Sequence, residues 1–155
     1  MLNWLKSFFK PKPTVVPAPM QWTIFALRNI DEAKPIASPK VPSLTTVASI
    51  NTRVNSGIKP KTERSDVWSL WPKEGDCDDY SVTKRHELRK LSTPSCLAVV
   101  KTSAGVGHCV LIVQTTSGEY VLDNLHSSPV TRKQCGHAFI IEQTTNPSIW
   151  INSRG

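Results

Sequence analysis

The sequence predicts an α+β domain in which N-terminal helices pack on an antiparallel β-sheet supplied by the second half of the chain. Three observations point to it. Leu44, Val47, Ile50, Val54 and Ile58 recur at helical spacing behind a Pro42-Ser43 start signal. The run from Cys77 to Leu91 is rich in helix formers. Asp76, Asp78 and Asp79 stand at its front and Lys84, Arg85, Arg89 and Lys90 further on, which suits a helix dipole at both ends. Beyond Pro94 the chain turns to short apolar runs rich in β-branched residues, at 96–101, 108–114 and 119–123.

The 155 residues are enough for one domain with a real core and too few for two ordinary ones. Residues 1–42 read as a Pro-rich basic arm. They hold six basic against two acidic residues, and seven of the twelve prolines, which deny the segment a long helix. Within it, residues 21–30 (QWTIFALRNI) suit one strand or a short helix. Residues 43–155 form the expected domain. Its first helix should end near Gly57 or Ile58, ahead of Pro60, and a Trp-rich loop, Asp66 to Pro72, leads to the second helix with Cys77 in its first turn. Thr115-Thr116-Ser117-Gly118 is a turn joining two strands into a hairpin, and residues 138–142 add a fourth strand.

Composition narrows the function. Lys plus Arg exceed Asp plus Glu by 19 to 12, but much of that excess lies in the arm. No stripe of basic residues interleaved with aromatics crosses the body, so nucleic acid is not an expected partner. Cys77, Cys96, Cys109 and Cys135 are widely spaced with no C-x-x-C pair, which argues against a zinc ribbon and against a dense disulfide scaffold. No apolar stretch approaches the roughly 20 residues of a membrane span. Residues 1–10 are apolar but short and lack a basic lead-in. They make a poor secretory signal and at most a weak contact with a membrane surface.

A nucleophilic thiol needs a means of becoming thiolate, a base, and a third group that holds the base. Cys77 sits where a helix N-terminus presents unpaired N–H groups and partial positive charge, which favour a thiolate. His108 heads a strand behind a flexible Ser103–Gly107 turn, and Asp123 closes the next strand of the hairpin, so the two should meet at one end of the sheet. Each residue also has an inert reading: Cys77 as a small core residue, His108 as a surface residue, Asp123 as a turn former. Cys109, Cys96 and Cys135 read as core. His86 lies among charges on the nucleophile's helix, and His126 and His137 show no evident partner.

Three strings decide between those readings: Glu74-Gly75-Asp76-Cys77-Asp78-Asp79-Tyr80, Gly107-His108-Cys109-Val110-Leu111, and Tyr120-Val121-Leu122-Asp123-Asn124-Leu125. In type and order they resemble the bacterial transglutaminase-like cysteine proteinases, whose pattern runs G-D-C-[ED]-D-Y, H-x-V-L and Y-V-L-D-N. The likeness covers about Ser49 to Leu125, and the Pro-rich arm looks foreign to it. The resemblance implies a papain-like fold with Cys77 as nucleophile, His108 as general base and Asp123 orienting the imidazole. It also bears on the crowding of Asp76, Asp78 and Asp79 around Cys77, which should oppose a thiolate unless a cation intervenes. Family members bind Ca2+ through acidic residues flanking the cysteine, which makes Asp76 and Asp78 the expected ligands and Asp79 a further candidate. They are typically exported and act on surface proteins in the periplasm. This chain's poor signal instead suggests a cytoplasmic location, or a phage-encoded protein released by lysis.

The expected activity is therefore that of a cysteine peptidase cleaving a peptide or isopeptide amide through a Cys77 thioester. Transfer of the acyl group to an amine, and a silent Ca2+-binding module that recognises peptides, are the alternatives. For the oxyanion hole the Cys77 backbone N–H is one natural donor. No Gln stands a few residues ahead of it, so the indole N–H of Trp68 or Trp71 is the candidate second donor.

Overall fold

A computed structural model describes residues 12–61 and 67–153. The expectations placed on residues 1–10, on Asp66 and on the start of the arm lie outside these residues. In chain order the elements are β1 (Val15–Val16), α1 (Met20–Arg28), a 3-10 turn (Ile30–Ala33), α2 (Leu44–Gly57), β2 (Lys59–Pro60), β3 (Glu74–Gly75), α3 (Cys77–Lys90), β4 (Cys96–Lys101), β5 (Gly107–Thr115), β6 (Gly118–Leu122), α4 (Arg132–Cys135), β7 (Ala138–Gln143) and β8 (Trp150–Asn152). The mixed helix and antiparallel-sheet class expected from the sequence is the one observed.

Local chemistry explains the helix boundaries. Ser43 caps α2, its hydroxyl accepting from the Thr46 N–H at 3.2 Å. Asp76 caps α3 in a reciprocal box with Asp79. Residues 21–30, open between strand and helix, form the helix α1, which buries Trp22 and Phe25. The described part of the arm is thus tied to the sheet and core. Val15 and Val16 pair with Ile151 and Trp150, and Trp22 packs on Phe25 and Trp150 with ring centroids 5.6 and 6.3 Å apart.

Six strands form one sheet in the order β1-β8-β7-β4-β5-β6, every neighbour antiparallel, and a two-residue parallel pair, β2 with β3, stands beside it. The alternation of β5 divides its side chains. Cys109, Leu111 and Val113 join the main core with Val47, Ile50 and Val54 of α2 and Tyr80, Val82 and Leu88 of α3. Val110 and Ile112 join Ala98, Val100 and Val121 in a smaller cluster packed by Val130 and Phe139. The sheet is therefore covered on both faces, and α3, laid across β5, has its N-terminus near the strand's start. Among the described residues no helix is long and apolar enough to cross a membrane.

Candidate active site

The start of α3 and the start of β5 come together. One turn after Cys77, the Ser81 hydroxyl donates to the Cys109 carbonyl at 3.1 Å, and Cys109 follows His108 in the chain. Cys77 is itself 7% exposed and joins the main core. A groove of about 350 Å3 opens at this junction, lined by Gln21, Trp68, Asp78, Gly107, His108 and Cys109, among others. A second pocket of the same volume lies among Arg85, Arg89, Pro35 and Pro147 and contains none of the candidate residues.

His108 and Asp123 meet as the hairpin predicted. The register sets Leu111 against Leu122, so the residue after β6 lies beside the first residues of β5. The His108 Nε2–H donates to Asp123 Oδ1 at 2.7 Å, with both side chains buried. Asp123 Oδ1 also accepts the Leu125 N–H at 3.0 Å. Burial alone would raise the Asp123 carboxyl, but the His108 hydrogen bond, the Leu125 N–H, the His108 charge and His137 outweigh it and hold the carboxyl down at about 2. An ionised Asp123 must accept at Nε2, which leaves Nδ1 as the nitrogen of neutral His108 that can take a proton.

His137 corrects the reading that it has no partner. Its Nε2 meets the other carboxylate oxygen, Asp123 Oδ2, at 2.7 Å, and its ring stands edge-on to His108 with centroids 5.3 Å apart. His126 Nε2 lies 3.9 Å from the same oxygen. The topology explains the meeting. Ala138 pairs with Lys101, which pairs with Gly107, so His137 and His108 stand at the same end of the sheet, at the starts of the two strands that flank β4. The one-turn α4, capped by Thr131 and Gln134 and stopped by Gly136 at φ +73°, delivers His137 to that point.

The three acidic residues flanking Cys77 divide their labour. Asp79 is 4% exposed. Its Oδ1 accepts from the Ser69 N–H at 2.8 Å and its Oδ2 from the Asp76 N–H at 3.0 Å, so it anchors the Trp-rich loop and closes the helix cap. Burial pushes its carboxyl up to about 6, and the neighbouring Asp76 charge adds to the shift. Asp76 Oδ1 accepts from the Asp78 N–H at 3.2 Å, and Asp78 lines the groove. Asp76 and Asp79 thus stand side by side at the cap while Asp78 faces the groove, and both Asp79 oxygens are taken by backbone N–H groups, which leaves Asp76 and Asp78 as the oxygen donors of the kind a hard dication takes.

The tryptophans separate. Trp68, 6% exposed, lines the groove. Trp71 lies against Gly57, where an added Cβ would come within 2.7 Å of its ring, and it does not line the groove. Gln21 does line it, arriving from α1 far upstream of Cys77 and not from the few residues before it. Of the other cysteines, Cys109 lies in the main core, Cys96 is half-buried against the smaller cluster, and Cys135 is buried at the end of α4 outside both clusters. All four are free thiols; burial drives Cys109 well above the ordinary range and Cys96 up to about 11.

The family model for the bacterial transglutaminase-like cysteine proteinases matches residues 13–154. That is wider than the motif region, and it corrects the expectation that the arm is foreign to the family pattern, since the match begins at residue 13. Solved structures of Legionella pneumophila LapG are similar in fold. The calcium-bound form is 16% identical with a TM-score of 0.62 over 99% of this chain and 88% of that one. Another LapG structure is 17% identical with a TM-score of 0.61, over 73% and 71%. The EGTA-treated form is 17% identical with a TM-score of 0.58, over 68% of this chain and 66% of that one. No curated protein matches the chain.

Proposed function

The chain belongs to the bacterial transglutaminase-like cysteine proteinase family, and from that premise we propose that it cleaves a peptide or isopeptide amide in a protein substrate through a Cys77 thioester. The observation that carries this reading is the buried His108–Asp123 pair at 2.7 Å, beside the groove where the Cys77 helix begins. His108 Nδ1 takes the thiol proton, and the thiolate, favoured by the N–H groups of the first turn of α3, attacks the carbonyl carbon. The carbonyl π electrons move to oxygen, where the Cys77 N–H and the Trp68 indole N–H stabilise the charge. When the tetrahedral adduct collapses, the C–N bond breaks and His108 returns its proton to the leaving amine. Water then gives a proton to His108 and attacks the thioester, releasing the acid and the thiol. Asp123 holds the imidazole tautomer throughout.

Asp76 and Asp78 are the side chains that would hold Ca2+, while Asp79 serves the helix cap and the Ser69 anchor. The ion would supply positive charge that offsets the crowded carboxylates near the thiol. The test is an incubation with a mixed protein substrate, a labelled primary amine and Ca2+, comparing wild type with Cys77→Ala. New C-termini that carry oxygen from water and require Cys77 support the reading. Amine incorporated in place of cleavage, or cleavage that survives Cys77→Ala, contradicts it.

A further inference from the structure

The cluster at the end of the sheet holds more ligating chemistry than a Cys–His–Asp site needs. His108, Asp123 and His137 each offer one ligand atom, and these atoms lie within 4.8 Å of one another. The side chains are 7%, 0% and 7% exposed. Each stands on defined backbone: the start of β5, the end of β6, and the residue after the glycine stop of α4. A further imidazole stands by, the His126 ring being 6.3 Å from that of His137.

We infer that His108, Asp123 and His137 form a binding site for a first-row transition dication of the Zn2+ type, and that filling it switches the peptidase off. Two imidazole nitrogens and a carboxylate oxygen make up the protein share of a three-ligand zinc centre, with water in the fourth position. The same set is wrong for Ca2+, which takes oxygen ligands. Tetrahedral bonds of 2.0–2.2 Å put ligand atoms about 3.3 Å apart; His108 and His137 now meet different oxygens of Asp123 at 2.7 Å, so binding through one of those oxygens needs its own contact to open by roughly half an ångström and the other hydrogen bond to be given up. The proton balance is simple. Each neutral imidazole gives up its Nε2 proton to solvent and takes one at Nδ1, and Nε2 binds the metal. That places a proton on His108 Nδ1, the nitrogen that must otherwise accept the thiol proton. Occupancy and turnover then exclude each other with no bond from the metal to Cys77.

The inhibitory consequence rests on reading His108 as the base, whereas the binding itself does not, so binding is tested on a protein that cannot turn over. Full-length Cys77→Ala, saturated with Ca2+, is titrated with Co2+ and followed by its visible d–d absorption. One tightly bound Co2+ with tetrahedral intensity is expected, displaced by Zn2+. Adding His137→Gln, which keeps a donor for Asp123 but changes the ligand, should weaken it at least tenfold, with the circular dichroism and melting temperature of the double variant confirming the fold. Absence of a tetrahedral band, or a band unchanged by His137→Gln in the folded protein, overturns the site. In wild type, one equivalent of Zn2+ should abolish Cys77-dependent cleavage. Retained cleavage with the metal bound overturns the switch while leaving the peptidase reading intact.

Discussion

Asp79 and Asp123 are both buried, at 4% and 1% exposure, yet their carboxyls move in opposite directions. Burial pushes each one up. Asp79 meets it with two neutral backbone donors and the unfavourable charge of Asp76, and burial wins, leaving the carboxyl at about 6. Asp123 meets it with two imidazoles and a backbone N–H, and they win, holding the carboxyl at about 2. The difference separates two roles within one site. Asp79 completes a cap and anchors Ser69 beside the like charge of Asp76. Asp123 is a fixed negative charge already shared between two imidazoles.

Exchanging each carboxylate for an amide breaks the comparison most sharply. Asp123→Asn should lower kcat for a peptide substrate by about 10⁴-fold, because an amide presents a donor as readily as an acceptor and no longer fixes the His108 tautomer. Asp79→Asn should act chiefly through the fold, costing on the order of 1–2 kcal/mol in chemical denaturation at acid pH, because the amide has one acceptor oxygen for the two N–H groups of Ser69 and Asp76 and turns a donor toward the other. Equal losses of kcat in the two variants would erase the distinction.

Acid sharpens it next. Because the folded Asp123 carboxyl lies below its ordinary value of 3.8, its stabilising effect is full above that value and disappears as pH falls toward about 2. The loss should amount to about 2 kcal/mol and be missing in Asp123→Asn. Asp79 has the opposite sign. Its raised carboxyl favours the fold below about 3.8 and costs stability as pH climbs through about 6. Urea unfolding followed between pH 2 and 7, with Asp79→Asn flattening the upper part of the curve and Asp123→Asn the lower, checks both signs.

The smallest expected effect separates the two tryptophans. Trp68→Phe, which removes the indole N–H together with part of the ring from the groove wall, should lower kcat about 10- to 100-fold with little change in KM. Trp71→Phe, packed on Gly57 away from the groove, should leave both constants alone. Identical behaviour of the two variants would remove Trp68 from the oxyanion hole.

Much of this arrangement was legible in the sequence because its signals are local. Ser43 and Asp76 announce helix starts within a few residues, and the four-residue turn at Thr115–Gly118 fixes the hairpin register that brings Asp123 to His108. What escaped depends on contacts distant in the chain. Prolines at 11, 13, 17 and 19 read as an arm, yet Trp22 and Phe25 reach the main core and Gln21 reaches the groove. Gln21 lacks the sequence proximity to Cys77 that would have marked it as a candidate. His137 follows a one-turn helix too short for any periodicity. Its signals were the Thr131-x-x-Gln134 cap and the glycine just ahead of it, and they become meaningful only once β7 is paired with β4. Buried Lys84, its amine pushed down to about 7 by burial against the attraction of Asp123, looked like an ordinary member of a charged helix face.

The most direct measurement is the pH dependence of Cys77 alkylation by iodoacetamide, read by mass spectrometry with Ca2+ present, in wild type and His108→Ala. Free cysteine ionises near pH 8.5. Rapid labelling of Cys77 already at about pH 6, abolished by His108→Ala, is the result expected of a thiolate maintained by the His108–Asp123 pair. Labelling that follows an ordinary thiol and ignores His108→Ala would contradict the account.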